Sequence, residues 1–202
     1  MRNKITLAMA VVGMMSTVTA FAAPTVTPDA GQGTIEFTGS VIDAPCSIVP
    51  GDQNIKVNLG QVSLKILDAV NKYSSVVPVT INLTGCSFDT PTVNGDPVKY
   101  SKVAVTFPGV QTPAGGDATK GEIANGAPDA AENVVIQLLK SDAATPVDLT
   151  KTNPTKDDTD NIQLDSTSAT SKLQFYARMM TLAGAAKAGS VGATVTYKLH
   201  YF

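Results

Sequence analysis

The stretch "GSVGATVTYKLHYF", residues 189–202, constrains the fold more than any other. Val191, Ala193, Val195, Tyr197, Leu199 and Tyr201 fall on every second position. The residues between them (Gly192, Thr194, Thr196, Lys198, His200 and Phe202) are polar except at the two ends. A period of two over this length is the signature of a β-strand with one buried face, because successive side chains of a strand point to opposite sides. The same alternation recurs along the chain: Ile55, Val57 and Leu59 in 54–62; Val77, Val79, Ile81 and Leu83 in 76–86; Val103, Val105 and Phe107 in 102–109; Val134, Ile136 and Leu138 in 133–140; Leu173, Phe175, Ala177 and Met179 in 172–180. The segments between are rich in Gly, Pro, Asn, Asp and Thr, which is turn chemistry. One long connection, 108–133, leaves room for a short strand or helix near Glu122–Ile123, and "SLKILDAV" (63–70) is the one segment that reads as a short helix. Strand after strand with turn-rich spacers predicts an all-β sandwich and not an α/β enzyme.

The first residues are not part of that fold. Arg2 and Lys4 precede an apolar run, "ITLAMAVVGMM", and Ala20 and Ala22 form an Ala-x-Ala cleavage signal. This is the pattern of a secretory signal peptide, residues 1–22; the apolar run is shorter than the ~20 residues of a membrane span. Cleavage removes two of 15 Lys+Arg and none of 17 Asp+Glu, leaving 13 against 17, a net charge of −4. Such a balance attracts neither nucleic acid nor anionic lipid. The remaining chain is one domain's worth of residues.

Two cysteines, Cys46 and Cys86, stand 40 positions apart. In an exported chain they most simply form one disulfide. A metal site needs more ligands, and a cysteine nucleophile needs a histidine; the sole histidine, His200, lies on the polar face of the last strand. The acids Asp157, Asp158 and Asp160 lack the spacing of a calcium loop, and "NLT" at 82–84 matches a glycosylation acceptor but sits inside a strand beside a cysteine. No phosphate loop or catalytic triad is legible, so neither catalysis nor a cofactor is expected.

Ahead of Cys46, "TIEFTGSVID" (34–43) places Ile35, Phe37, Gly39 and Val41 on one side and Thr34, Glu36, Thr38 and Ser40 on the other. It follows a Pro/Gly-rich leader, 24–33, that reads as a mobile arm. Six strands are countable after Cys46, whereas an immunoglobulin-like sandwich has about seven. One strand is missing, and one is spare.

These features together resemble the chaperone–usher pilus subunits, the major pilins of type 1 and P pili in particular, over essentially the whole chain. "GQGTIEFTGSVIDAPCSI" is similar to that family's N-terminal extension and first cysteine, and "VPVTINLTGC" to the strand ending in the second. "AENVVIQLL" and "LQFYARMMTLAGAAKAGSVGATVTYKLHYF" are similar to its later strands. Tyr201 stands at the family's penultimate tyrosine and Gly189 at its glycine fourteenth from the end.

The resemblance implies an incomplete immunoglobulin-like sandwich of six strands, with the seventh donated by another chain. It implies a donor strand at about 32–41 within an extension, 23–45, and a body, 46–202. Ile35, Phe37 and Val41 would be the plugs, with Gly39 where the groove is shallow. The acceptor groove would be flanked by the terminal strand, Gly189, Val191, Val195, Tyr197, Leu199, Tyr201 and Phe202. The Phe202 carboxylate resembles the group that a chaperone's basic residues anchor. Implied partners are neighbouring subunits, a periplasmic chaperone and an outer-membrane usher, and the implied destination is a cell-surface fimbrium that supports adhesion. On the residues alone, Ile35, Phe37 and Val41 also suit an ordinary first strand, Tyr201 a core tyrosine and Gly189 a turn. A minor adaptor pilin and a self-contained sugar-binding module are the other functions compatible with the sequence.

Overall fold

The computed structural model describes residues 33–88, 92–93, 96–97 and 100–202; the signal peptide, the start of the arm and Gln32 lie outside them. The chain divides between Ser40 and Val41.

In the body, β1 (Ser47–Ile48), β2 (Val77–Thr84), β6 (Glu122–Ile123), β7 (Val134–Leu139) and β9 (Thr170–Thr181) make a five-stranded antiparallel sheet in the order β1-β2-β9-β7-β6. A second sheet orders β10 (Lys198–Tyr201), β5 (Lys102–Thr106) and β8 (Ile162–Gln163) as β10-β5-β8. β3 (Thr92–Val93) and β4 (Asp96–Pro97) form a small hairpin. Helical structure among the described residues is confined to two 3-10 turns, Pro50–Asn54 and Ala118–Lys120.

β9 is the spine. Its alternation is realised as read: Leu173, Phe175, Ala177 and Met179 are buried, while Gln174, Tyr176 and Arg178 are half-buried on the opposite face. It pairs with β2 on one side (Ile81↔Leu173) and β7 on the other (Ile136↔Met179). Ile81, Leu83, Val103, Phe107, Ile136, Leu138, Leu173 and Phe175 meet between the two sheets, with the Phe107 and Phe175 rings edge to face at 5.8 Å. β7 is buried on both faces, which a period-two reading cannot show.

Three expectations are corrected. Residues 54–62 form no strand: Asn54 closes a 3-10 turn that starts at Pro50, and the rest is extended without a ladder. Residues 63–70 are not a helix but a turn, with Ile66 N donating to Ser63 O and Leu67 buried in a second small cluster with Val134 and Met179. Eight residues are too few to hold a helix on propensity alone, and the burial of Leu67 decides the local path. The terminal strand is laddered only over Lys198–Tyr201, not over 190–201. Of the six strands expected after Cys46, five carry ladders. In the long connection, Glu122–Ile123 does form a short strand, paired to β7. The Asp158 and Asp160 carboxylates sit against Lys151, and Asp160 also meets Lys140. Among the described residues no cluster of His, Cys, Asp and Glu could hold a metal ion, and no helix is long and apolar enough to cross a membrane.

Cys46 and Cys86 are disulfide-bonded across a separation of 40 residues. The bond ties the start of the body to the end of β2, beside the Ser47↔Thr84 pairing. Closing a loop of that length constrains the unfolded chain by roughly 3–4 kcal/mol. Cys86→Ser should lose most of that stability, read as a lower denaturation midpoint and a lower level of exported protein. An unchanged midpoint would show the bond to be energetically idle.

Candidate functional site

A sandwich strand must satisfy its main-chain N–H and C=O groups on both edges or leave them to water. Two extended segments of this body find no such partner within the described chain. Among the described residues, 56–62 and 193–197 have no main-chain to main-chain hydrogen bond. Both nevertheless lie on the core. Ile55 and Leu59 from the first segment, and Val191, Val195 and Tyr197 from the second, are partly buried against the residues between the sheets.

Their ends are fixed. At one end the Tyr197 hydroxyl donates to Asp52 O at 2.7 Å, and Asp52 Oδ2 accepts from Asn82 N and Nδ2 at the edge of β2. At the other end Leu59, Val62 and Val191 pack together on the cluster of Leu67, Ala131, Val134 and Met179. The two segments therefore run in opposite directions along the core with unpaired edges.

Residues 54–62 thus carry strand alternation but no strand, since no described residue pairs with 56–62. The terminal strand is laddered only over Lys198–Tyr201 because β5, alongside it (Leu199↔Val105, Tyr201↔Val103), ends at Thr106.

Gly189 and Gly192 bracket the entry to the terminal segment. A Cβ on Gly189 would lie 2.5–2.7 Å from the main chain of Ala130 and Ala131. The glycine is needed because two backbones touch there, not because of a left-handed turn. Ser190 is hydrogen-bonded to Asp129 O and Ala131 N, both at 2.8 Å. Asn125 holds the same stretch, donating to Ser190 O at 2.8 Å and accepting from Gly192 N at 3.0 Å. Sequence reading missed Asn125; a lone Asn-Gly in a turn-rich connection gives no sign of a partner 65 residues away.

Tyr201 is half-buried, and its hydroxyl has no hydrogen-bond partner among the described residues. Burial first, then the neighbouring Tyr197, push its phenol up to about 12. Phe202 is tied into the sheet, its carbonyl accepting from Ser101 N and Lys102 N and its N–H donating to Lys102 O. His200 contacts Thr106 Oγ1 at 2.9 Å, and burial, then Lys198, lower its pKa. Asn82, the acceptor in "NLT", has its side chain on Asp52.

The N-terminal stripe is placed differently. Ile35, Phe37 and Val41 are 77%, 89% and 102% exposed, and the backbone 33–43 joins no ladder. A Cβ at Gly39 would meet nothing within 4 Å. The chain thus carries a solvent-facing apolar stripe with strand spacing, and a body with unpaired strand edges over its core.

A family model described as fimbrial protein matches residues 35–201. The chain is 33% identical over 172 residues to the F17 fimbrial protein of Escherichia coli, covering 84% of this chain and 87% of that protein. A chain in the structure of a chaperone–usher pilus superposes with a TM-score of 0.60 at 22% identity, covering 89% of this chain and 100% of that one. The P pilus rod subunit PapA superposes with a TM-score of 0.56 at 20% identity, over 79% of this chain and all of that subunit. At those identities the two structures speak to the fold.

Proposed function

The chain belongs to the fimbrial protein family, and from that premise we propose that it is a structural fimbrial subunit whose groove receives the N-terminal stripe of the next copy. The observation that carries the reading is the pairing of two unladdered segments, 56–62 and 193–197, with a spare apolar stripe in the same chain.

Physically the two halves fit. A strand of residues 32–41 is about 33 Å long at ~3.3 Å per residue, close to the length of the 191–201 edge. Laid between the two open segments, it supplies the main-chain partners that each lacks, which is β-strand addition. Burying Ile35, Phe37 and Val41 contributes roughly 1.5–3 kcal/mol each. Gly39 falls in the same stripe and fits where the groove is shallow. Residues 23–45 are then an extension that acts on a neighbour, and 46–202 is the body that receives one.

An open apolar groove is an aggregation hazard until it is filled. In this reading a periplasmic chaperone lends a strand first, with the Phe202 carboxylate as its anchor, and an outer-membrane usher exchanges it for the next subunit. The product is a homopolymeric surface fimbrium that supports adhesion. The role requires no cofactor and no catalysis.

The test separates body from stripe. A chain lacking residues 23–41, refolded alone, should aggregate. With a peptide of residues 32–41 it should give a soluble one-to-one complex that melts cooperatively, and the same peptide carrying Phe37→Asp should not rescue it. A truncated body that is soluble and cooperative without peptide would refute the incomplete groove.

A further inference from the structure

Behind the five-stranded sheet, on the face turned away from the core, lies a cavity of about 430 Å³. Three side chains cross its floor in one row. Glu122 on β6 pairs with Gln137 on β7, and Gln137 pairs with Arg178 on β9. Their neighbours Ile123, Ile136, Leu138 and Ala177 point into the core, so the row faces outward by the two-residue period.

Glu122 and Gln137 are only 2% and 4% exposed. Gln137 donates to Lys120 O at 2.9 Å and accepts from Arg178 Nε at 2.8 Å. Glu122 Oε2 accepts from Asp117 N at 2.6 Å, while Oε1 has no donor among the described residues. The Arg178 guanidinium stacks 3.6 Å from the centre of the Tyr73 ring. Among the described residues its two terminal nitrogens have no acceptor and it forms no ion pair.

With Nε on Gln137, the two terminal nitrogens of this half-buried guanidinium are left as a free fork lining the cavity. Burial lowers its pKa, partly offset by Tyr73. Lys120, at the rim, is already paired with Asp117 at 3.5 Å. The fork of Arg178 matches a carboxylate, which it binds through two parallel hydrogen bonds. Glu122, two strand spacings or about 10 Å away, repels a second anionic group and accepts from hydroxyls.

We propose that this pocket binds a carboxylate-bearing polyol, an acidic sugar of the hexuronic class, with its carboxylate on Arg178 and its hydroxyls toward Glu122. The cavity is of the size that small-molecule sites occupy. The site is independent of strand donation, since it lies on the other face of β7 and β9 from the groove.

The test is saturation-transfer NMR on purified fibres, with glucuronic acid as probe and glucose as its uncharged counterpart. Glucuronate should bind at least about tenfold more tightly than glucose, and Arg178→Gln should weaken it by about the same factor. Electron microscopy of the variant fibres shows that the subunit still folds. Should Arg178→Gln fail to assemble, Arg178→Lys carries the test. It keeps the charge, loses the fork, and should still weaken glucuronate several-fold. The measurement applies equally to the body complemented by the 32–41 peptide, so failure of assembly and failure of the pocket are read separately. Equal binding of glucose and glucuronate, unchanged binding in the Arg178 variant that folds, or no transfer to wild-type protein would each overturn the proposal. The last includes the case in which an acidic side chain of a neighbouring copy fills the site.

Discussion

Phe37→Asp is expected to abolish incorporation of the subunit into fibres while leaving its own body intact. Phe37 is 89% exposed in its own chain, so replacing it removes nothing from the core of Leu173, Phe175, Ile81 and Val103. The cost falls entirely on the neighbour. An aspartate delivered into an apolar groove with no cationic partner costs several kcal/mol, on the scale of burying an unpaired charge. It also forfeits the ~2–3 kcal/mol that burial of the phenylalanine contributes. A combined penalty of about 5 kcal/mol is more than a thousandfold in an exchange equilibrium, so fibres should be undetectable.

The two faces of the stripe give the internal controls. Glu36 points to the opposite side, and Glu36→Ala should polymerise almost as wild type. Gly39→Leu should block joining by overfilling the groove, although a side chain at Gly39 meets nothing in its own subunit. The measurement is polymerisation of chaperone-bound subunits, scored on a gel that preserves fibres. If Phe37→Asp polymerises normally and Glu36→Ala does not, the register is off by one residue. If neither matters, the segment is not the donor.

Gly189→Val is expected to act in the opposite place, destroying the body rather than the arm. The first atom of any side chain at 189 would lie 2.5–2.7 Å from main-chain atoms of Ala130 and Ala131. Backbone cannot rotate away as a side chain can. Relief requires lifting 189–192 off the 129–131 loop, which breaks the Ser190–Asp129, Ser190–Ala131 and Asn125 hydrogen bonds together. Losses of this kind reach about 4 kcal/mol or more, a large part of the roughly 5–15 kcal/mol that holds a domain together. Even Gly189→Ala should lower the melting temperature by several degrees, and Gly189→Val should leave no folded subunit in the periplasm. Gly192→Ala is the matched control, because its added methyl meets only the Ala127 side chain, at 3.6 Å. Equal damage at 189 and 192, or none at 189, would show that the close approach is not what the glycine serves.

The division between what the residues state and what the fold decides follows from the range of each interaction. Strand identity is local. The alternation of Leu173, Phe175, Ala177 and Met179 depends only on a two-residue period, and β9 formed where the period lay. The same holds for β2, β5 and β7. The cysteine pair was legible because a chain with two cysteines has one way to pair them. The alternation of Ile35, Phe37 and Val41 is local in the same sense, since it needs only the two-residue period.

Whether an alternating segment becomes a ladder is not local. Residues 56–62 and 193–197 carry the strand period as clearly as β2 does, yet among the described residues neither has a main-chain partner, because a ladder needs a neighbour and a period cannot supply one. The apolar run at 63–70 turned instead of coiling because Leu67 had a pocket among Val134, Ala131 and Met179. Asn125 and the Glu122–Gln137–Arg178 row depend on residues brought together from 15 to 65 positions apart. Gly189 was recognisable as a glycine of note, but its reason is the backbone of a loop some 60 residues earlier, pressed within 2.5 Å. Periodicity is written along the chain; contact, and the absence of a partner strand, exist only across it.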